Sequence, residues 1–182
     1  MQIIKRDSED ISEMIRSHIR DIPDYPKQGI VFKDITPLLK DPHAFSSCID
    51  ALAQRLKGIA FDYIIGIEAR GFIVGSALAY KMGKGFVPVR KKGKLPYDKI
   101  SQSYQLEYGM ETMEIHSDAI EKNSRALVVD DLLATGGTAN AAATMINSLG
   151  GVVVGYAFIT ELAFLNGRNR LGSENIIVLL RY

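Results

Sequence analysis

The sequence predicts an α/β fold with a parallel central sheet flanked by helices, and three observations carry that prediction. Short apolar runs rich in β-branched residues recur at Tyr63–Ile67, Phe86–Val89, Ala126–Val129, Gly151–Thr160 and Ile176–Leu180, the pattern of strands buried on both faces. Segments with apolar residues at helical spacing lie between them. Two of the runs end in glycine-containing turns that lead directly into a helix, as the crossovers of a parallel sheet require.

Ser8 can cap a first helix whose Ile11, Met14, Ile15 and Ile19 share a face, and Pro23 and Pro26 stop it. The stretch PKQGIVFKDITPLL, from Pro26 to Leu39, is rich in apolar residues but too interrupted for a long regular element. Asp41 and Pro42 start another helix, on which Phe45, Ile49, Leu52 and Leu56 trace one stripe to Lys57 before Gly58 ends it. The strand Tyr63–Ile67 runs into Glu68-Ala69-Arg70-Gly71-Phe72 and a helix to about Met82. After Phe86–Val89 comes a basic cluster, Arg90-Lys91-Lys92-Gly93-Lys94, which taken alone reads as a solvated turn. Leu95 to Gly109 is polar and carries three tyrosines, the composition of a flap, and Met110 to His116 alternates enough to pair back on it as a strand.

The stretch RALVVDDLLATGGTA, from Arg125 to Ala139, organises the rest. Asp130 and Asp131 fall at the carboxyl end of the strand Ala126–Val129, the end that faces the ligand crevice in open α/β sheets. Thr135, Gly136, Gly137 and Thr138 follow, and Ala139, Ala142, Ala143, Ile146 and Leu149 recur at helical spacing behind them. Glycines at a loop-to-helix junction let backbone N–H groups turn toward an anion, while the helix end adds partial positive charge. Ionised carboxylates only accept hydrogen bonds, so they suit the paired hydroxyls of a ribose. A phosphorylated sugar satisfies both halves. The plainer alternative is a strand–turn–helix whose glycines serve the turn and whose aspartates are solvated. The chain has neither a Walker lysine nor a GxGxxG run, which disfavours an ordinary triphosphatase and a dinucleotide fold.

At 182 residues the chain is about one domain long, and its formal net charge of +1 gives no electrostatic case for nucleic acid or an anionic membrane. Cys48 is the single cysteine, so no intrachain disulfide is possible and a reducing, cytoplasmic setting is expected. No run has the length of a membrane span or of a signal-peptide core. His18, His43 and His116 are scattered over unrelated elements, so neither a zinc site nor a histidine-based triad is expected.

The central stretch resembles the phosphoribosyl pyrophosphate loop of type I phosphoribosyltransferases, in which two acids, two apolar residues and a T-G-G-T-like turn follow an apolar run. The string VVDDLLATGGTA, with GKLP at Gly93–Pro96 and LEYG at Leu106–Gly109, is similar to the adenine phosphoribosyltransferases of that superfamily. The resemblance implies the type I fold as one domain over 1–182, with an N-terminal helix and base-covering hood over about 1–40 and an antiparallel flap over about 95–116. It implies transfer of ribose 5-phosphate from phosphoribosyl pyrophosphate to adenine, giving AMP and pyrophosphate in purine salvage. By the same resemblance Asp130 and Asp131 orient the ribose, and Ala134, Thr135, Gly136, Gly137, Thr138 and Ala139 hold the 5-phosphate. Ala69, Arg70, Arg90 and Lys94 hold pyrophosphate. Val31 and Lys33 read the adenine edge through the main chain, and Phe32 stacks on the ring. On the flap, Glu107 exchanges a proton with the purine and Tyr108 lines the closed site. Magnesium is implied as a cofactor carried mainly on substrate oxygens, with no protein metal site, and a homodimer is implied as the assembly.

Two other readings are weighed against this one. Enzymes that take 6-oxopurines usually carry an acid within the phosphate loop, where this chain has Ala134, which disfavours a xanthine or guanine enzyme. A non-catalytic sensor on the same fold would bind the sugar phosphate and append a DNA-binding module, for which the assigned hood and core leave no residues.

Overall fold

From residue 42 onward helix and strand alternate as the apolar periodicity predicts, except where a hairpin of two further strands is inserted after residue 91. The computed structural model describes residues 2–106, 109–172 and 175–182. They form two compact units, Met1–Ala51 and Leu52–Tyr182, and the division falls inside a helix.

In the N-terminal unit, α1 (Gln2–Ser17) starts before the predicted cap, so Ser8 is interior to the helix. It also ends earlier than the apolar stripe suggests. The Ser17 hydroxyl donates to the Met14 carbonyl at 2.8 Å, and the His18 and Ile19 N–H groups bond back only three residues, the tightened geometry of a helix end. Pro23 is therefore not a helix stop. It lies in β1 (Arg20–Pro23), which pairs antiparallel with β2 (Val31–Asp34) in the register Arg20↔Asp34 to Pro23↔Val31. The segment read as too interrupted for a long regular element holds two short ones, the four-residue β2 and then the five-residue α2 (Thr36–Lys40). In α3 (Pro42–Arg55) the predicted start holds: Asp41 Oδ1 accepts the His43 and Ala44 N–H groups at 2.9 and 2.8 Å, an N-cap worth about 1 kcal/mol.

The second unit is built on β3 (Tyr63–Ile67), α4 (Arg70–Met82), β4 (Gly85–Lys91), β5 (Lys99–Leu106), β6 (Gly109–His116), β7 (Arg125–Leu133), α5 (Gly137–Ser148), β8 (Val152–Glu161) and β9 (Ile176–Arg181). Its seven strands lie in the order β5-β6-β4-β3-β7-β8-β9. The five from β4 to β9 are parallel, and the β5–β6 hairpin joins antiparallel through β6 on β4. From β3 the chain crosses by α4 to one side of the sheet, and from β7 it crosses by α5 to the other. Right-handed crossovers in opposite directions put these helices on opposite faces. Strand alternation agrees: Ile65, Ile67, Ala126 and Val128 pack in one core cluster with Ala139, Ala142, Ala143 and Ile146 of α5. Ile64 meets the α4 side, where a Cβ built on Gly75 would lie 3.4 Å from it. Each fully buried isoleucine or valine among these stabilises the fold by about 1.5–3 kcal/mol.

The point between β3 and β7, where the crossovers diverge, is where such sheets open a crevice. Here β7 departs from the expectation that it stops at Val129. It pairs with β3 only as far as Gly66↔Val129, but stays paired with β8 through Leu132↔Thr160 and Leu133↔Glu161. Asp130 and Asp131 are consequently strand residues on the stretch that β3 no longer covers.

Candidate active site

The chain leaves β7 at Leu133, turns through Ala134–Gly136 and enters α5 at Gly137. Gly136 has φ +77, a left-handed conformation that a side chain strains. A Cβ there would also lie 2.5 Å from the Gly167 carbonyl oxygen. The resulting cavity, about 140 Å³, is lined by Asp130 and every residue from Ala134 to Ala139, with Leu132, Leu133 and Phe158 as its apolar wall. The first N–H groups of a helix lack intrahelical partners and carry partial positive charge, so a cavity at this end suits an anion. The Thr138 hydroxyl donates to Tyr104 Oη on β5 at 3.0 Å.

The two acids before the loop differ. Asp131 is buried, with its Oδ2 2.6 Å from Arg70 Nε. This contact is ionic only, for that oxygen accepts no hydrogen bond among the described residues. The Thr160 hydroxyl donates to the Asp131 carbonyl at 3.2 Å and steadies the main chain. Asp130 lines the cavity, and its Oδ1 accepts the Asp131 N–H at 2.9 Å. Burial, then the Asp131 carboxylate beside it, pushes the Asp130 carboxyl well above the usual range. Gly71 allows this closeness: a Cβ there would lie 2.8 Å from the Val129 carbonyl oxygen and 2.9 Å from Asp130 Oδ1. The first turn of α4 can therefore sit against the exposed end of β7 and present Arg70 to Asp131.

Glu68, between β3 and α4, gathers the basic cluster. Its Oε1 is 2.5 Å from Lys94 Nζ, and its Oε2 accepts from Arg90 Nε at 3.3 Å and the Lys91 N–H at 3.0 Å. Burial raises this carboxyl, but the bonds from Lys94, Lys91 and Arg90 outweigh it and hold it below the ordinary glutamate value. Arg90 also donates to the Lys94 carbonyl and lies 6.0 Å from the Phe72 ring centroid. Arg90 and Lys94, expected as pyrophosphate ligands at the end of the strand, are thus organised by a carboxylate. Arg90 itself lies within β4, which continues to Lys91 by pairing with β6. Ala69 is the residue before α4, and its carbonyl accepts the Phe72 N–H at 3.2 Å.

Residues 34–163 match the phosphoribosyl transferase domain family. The adenine phosphoribosyltransferase of Pseudothermotoga lettingae is 56% identical over 168 residues, which cover 92% of this chain and 99% of that relative. The chain belongs to the adenine phosphoribosyltransferase family. The crystal structure of the adenine phosphoribosyltransferase from Thermoanaerobacter pseudethanolicus matches with a TM-score of 0.91 at 54% identity, covering 93% of this chain and 99% of that one. The Saccharomyces cerevisiae enzyme, complexed with D-2,5-dideoxy-2,5-imino-altritol 1,6-bisphosphate and adenine, matches with a TM-score of 0.88 at 38% identity, covering 94% and 99%. The type I phosphoribosyltransferase fold predicted from the sequence is therefore the fold of this adenine phosphoribosyltransferase family member.

Val31, Phe32 and Lys33 lie in β2 of the N-terminal unit. The Phe32 ring meets Tyr25 edge to face at 5.3 Å, and Lys33 Nζ donates to Asp21 Oδ1 at 2.7 Å. Glu107 and Tyr108 lie outside the described residues. Sequence reasoning missed Glu68, Gly71, Tyr104 and Gly167 as parts of the site. Gly167 belongs to a 3-10 turn, Gly167–Arg170. A Cβ on it would lie 2.2 Å from the Ala134 carbonyl oxygen, so this turn backs the loop that follows β7 directly. The two residues lie far apart in the chain, so no local pattern signals that contact.

Proposed function

We propose that the chain transfers the 5-phosphoribosyl group of phosphoribosyl pyrophosphate to N9 of adenine, releasing pyrophosphate and forming AMP. The observation that carries this reading is the cavity from Ala134 to Ala139 at the start of α5, with Asp131 of the strand that leads into it paired to Arg70 of α4. Family membership supports the substrate pair, and the yeast relative binds adenine together with a bisphosphorylated sugar analogue.

In this reading the loop N–H groups and the hydroxyls of Thr135 and Thr138 hold the 5-phosphate, and Asp130 and Asp131 orient the ribose hydroxyls. As the C1′–O bond breaks, its electron pair leaves with pyrophosphate and positive charge spreads over the ribose ring, as in glycoside hydrolysis. Arg70, Arg90 and Lys94 are cations placed in advance on internal carboxylates, Asp131 and Glu68. They are held in place by those carboxylates rather than recruited from solvent, which limits the reorganisation needed to stabilise charge on the leaving group. N9 of adenine bonds C1′, and Glu107 accepts the proton that the purine gives up. Phe32 stacks on the base, Val31 and Lys33 read its edge, Ala69 offers main-chain contacts to pyrophosphate, and Tyr108 lines the closed flap.

Among the described residues no three His, Cys, Asp or Glu side chains cluster as a metal cage. Two carboxylates beside a phosphate cavity are a donor set that fits magnesium held chiefly by substrate oxygens and water. Bound in that way, magnesium supplies charge neutralisation on the pyrophosphate. A homodimer in the cytoplasm completes the reading, and no described helix is long and apolar enough to cross a membrane. Sedimentation equilibrium tests the assembly.

The activity test is product formation from phosphoribosyl pyrophosphate and magnesium with each purine in turn, beside Glu107→Ala and Asp131→Ala. AMP from adenine alone, with turnover lowered about 100-fold or more by Glu107→Ala, supports the assignment. Absence of product from every base would overturn it, and product from guanine or xanthine would overturn the adenine specificity.

A further inference from the structure

Tyr104 on β5 sits opposite Glu111 on β6, and the two side chains are joined: the Tyr104 hydroxyl donates to Glu111 Oε2 at 2.6 Å. Glu111 Oε1 lies 2.5 Å from Lys91 Nζ. The Tyr104 ring packs on the phosphate loop, where a Cβ built on Gly137 would lie 3.1 Å from its Cδ2. Its oxygen accepts the Thr138 hydroxyl at 3.0 Å. Lys91, Glu111, Tyr104 and Thr138 therefore form one chain from the basic strand, through the hairpin, into the phosphate loop.

The direction of the hydrogens decides what this chain does. Glu111 is an ionised acceptor, and a bond to an ionised partner is about twice as strong as one between neutral groups. The single hydroxyl hydrogen of Tyr104 is thereby committed to Glu111. Burial, then the Glu111 bond, raises the Tyr104 phenol above its ordinary value, so it keeps that hydrogen at neutral pH. Tyr104 can then only accept from Thr138. Thr138 also has a single hydroxyl hydrogen, and a phosphate monoester at neutral pH presents strong acceptor oxygens. Tyr104 and a sugar 5-phosphate want the same hydrogen.

We propose that Tyr104 is a positioning residue that holds the Thr138 hydroxyl hydrogen against the flap hairpin, so that every ligand carrying a 5-phosphate binds in competition with it. The inference rests on the proposed phosphoribosyl transfer, in which substrate and product share that phosphate. Tyr104 then weakens both alike, and AMP leaves sooner than the bare loop would allow.

Calorimetric titration of ribose 5-phosphate, AMP and adenosine into the parent and Tyr104→Phe tests this. The variant keeps the ring against Gly137 and removes only the oxygen. AMP and ribose 5-phosphate should bind about fivefold tighter, with adenosine unchanged, and product inhibition by AMP should strengthen accordingly. On a Thr138→Ala background the same substitution should have no effect, because the contested hydrogen is gone. Glu111→Gln, which loosens the hold on the phenol hydrogen, should also tighten AMP. Unchanged or weaker AMP binding in Tyr104→Phe, a gain that persists without the Thr138 hydroxyl, or an equal gain for adenosine overturns the inference. A parent that binds neither phosphorylated ligand overturns the functional reading and this inference with it. A parent that binds AMP with no response to Tyr104→Phe overturns the inference alone.

Discussion

Arg70 and Asp131, on different helix and strand elements, meet at 2.6 Å in the crevice that opens beyond the end of β3. Sequence reasoning assigned the first to pyrophosphate and the second to ribose. Their contact makes each the counter-ion of the other, which keeps a buried carboxylate tolerable and fixes where the guanidinium sits.

Removing one partner should therefore hurt more than removing both. Arg70→Ala strands the Asp131 charge. Because Arg70 is a third exposed, the cost is discounted to about 2 kcal/mol in urea denaturation. The Arg70→Ala/Asp131→Ala pair should recover part of that stability while remaining inactive. A double variant as unstable as the sum of its parts would show that the pair is not coupled.

Asp130 carries a cost that substitution should relieve. Its folded carboxyl titrates above the unfolded aspartate value of about 3.9. Its contribution to stability is thus fully present below that value and is lost as pH rises through the folded value. Asp130→Asn should match the parent near about pH 3 and become the more stable protein as pH rises toward about 7, while its transfer activity falls. Thermal midpoints of both proteins across that range check it, and a gap that shrinks as pH rises would contradict the assignment.

The phosphate loop should be sensitive to a residue outside it. Gly167→Ala would place a methyl group 2.2 Å from the Ala134 carbonyl oxygen, and overpacking against main chain costs about 1–3 kcal/mol. The expected kinetic result is a raised KM for phosphoribosyl pyrophosphate with adenine KM little changed. Gly172→Ala, where a Cβ meets nothing within 4 Å, serves as the control.

Glu161 anchors that same turn. Arg168 reaches both of its oxygens at 2.8 Å, and Arg181 adds a contact at 3.0 Å. The Arg168 hydrogen bonds outweigh burial and hold the Glu161 carboxyl below its ordinary value. Its stabilisation is present above the unfolded value of about 4.3 and is lost as pH falls through the lower folded value. Glu161→Gln should be less stable than the parent near about pH 7, with the difference steady down to about pH 5 and closing below about pH 4. Denaturant midpoints across that range measure it.

Much of the architecture was legible because its signals are local. Buried parallel strands must be continuous apolar runs, so Tyr63–Ile67 coincides with β3 to the residue, and the Asp41–Pro42 start of α3 follows from capping chemistry. The turn from Ala134 to Gly136 into α5 was readable for the same reason, since its glycines mark a strand-to-helix junction, and the cavity there is lined by its own residues. Weak periodicity misled where tertiary pairing prevailed: Pro23 joins a strand because β2 supplies a partner, and β7 runs on to Leu133 because β8 does.

By itself the sequence determined the α/β class, the glycine-containing loop after β7 and the kinds of side chain that gather near it. The tertiary structure alone decided how those side chains are paired. Arg70 lies on Asp131, Arg90 and Lys94 lie on Glu68, Thr138 is tied through Tyr104 to Glu111, and Gly167 abuts Ala134. The physical reason is range: backbone conformation and apolar period are set by neighbours along the chain, whereas ion pairs and close approaches depend on which strand ends the sheet brings side by side.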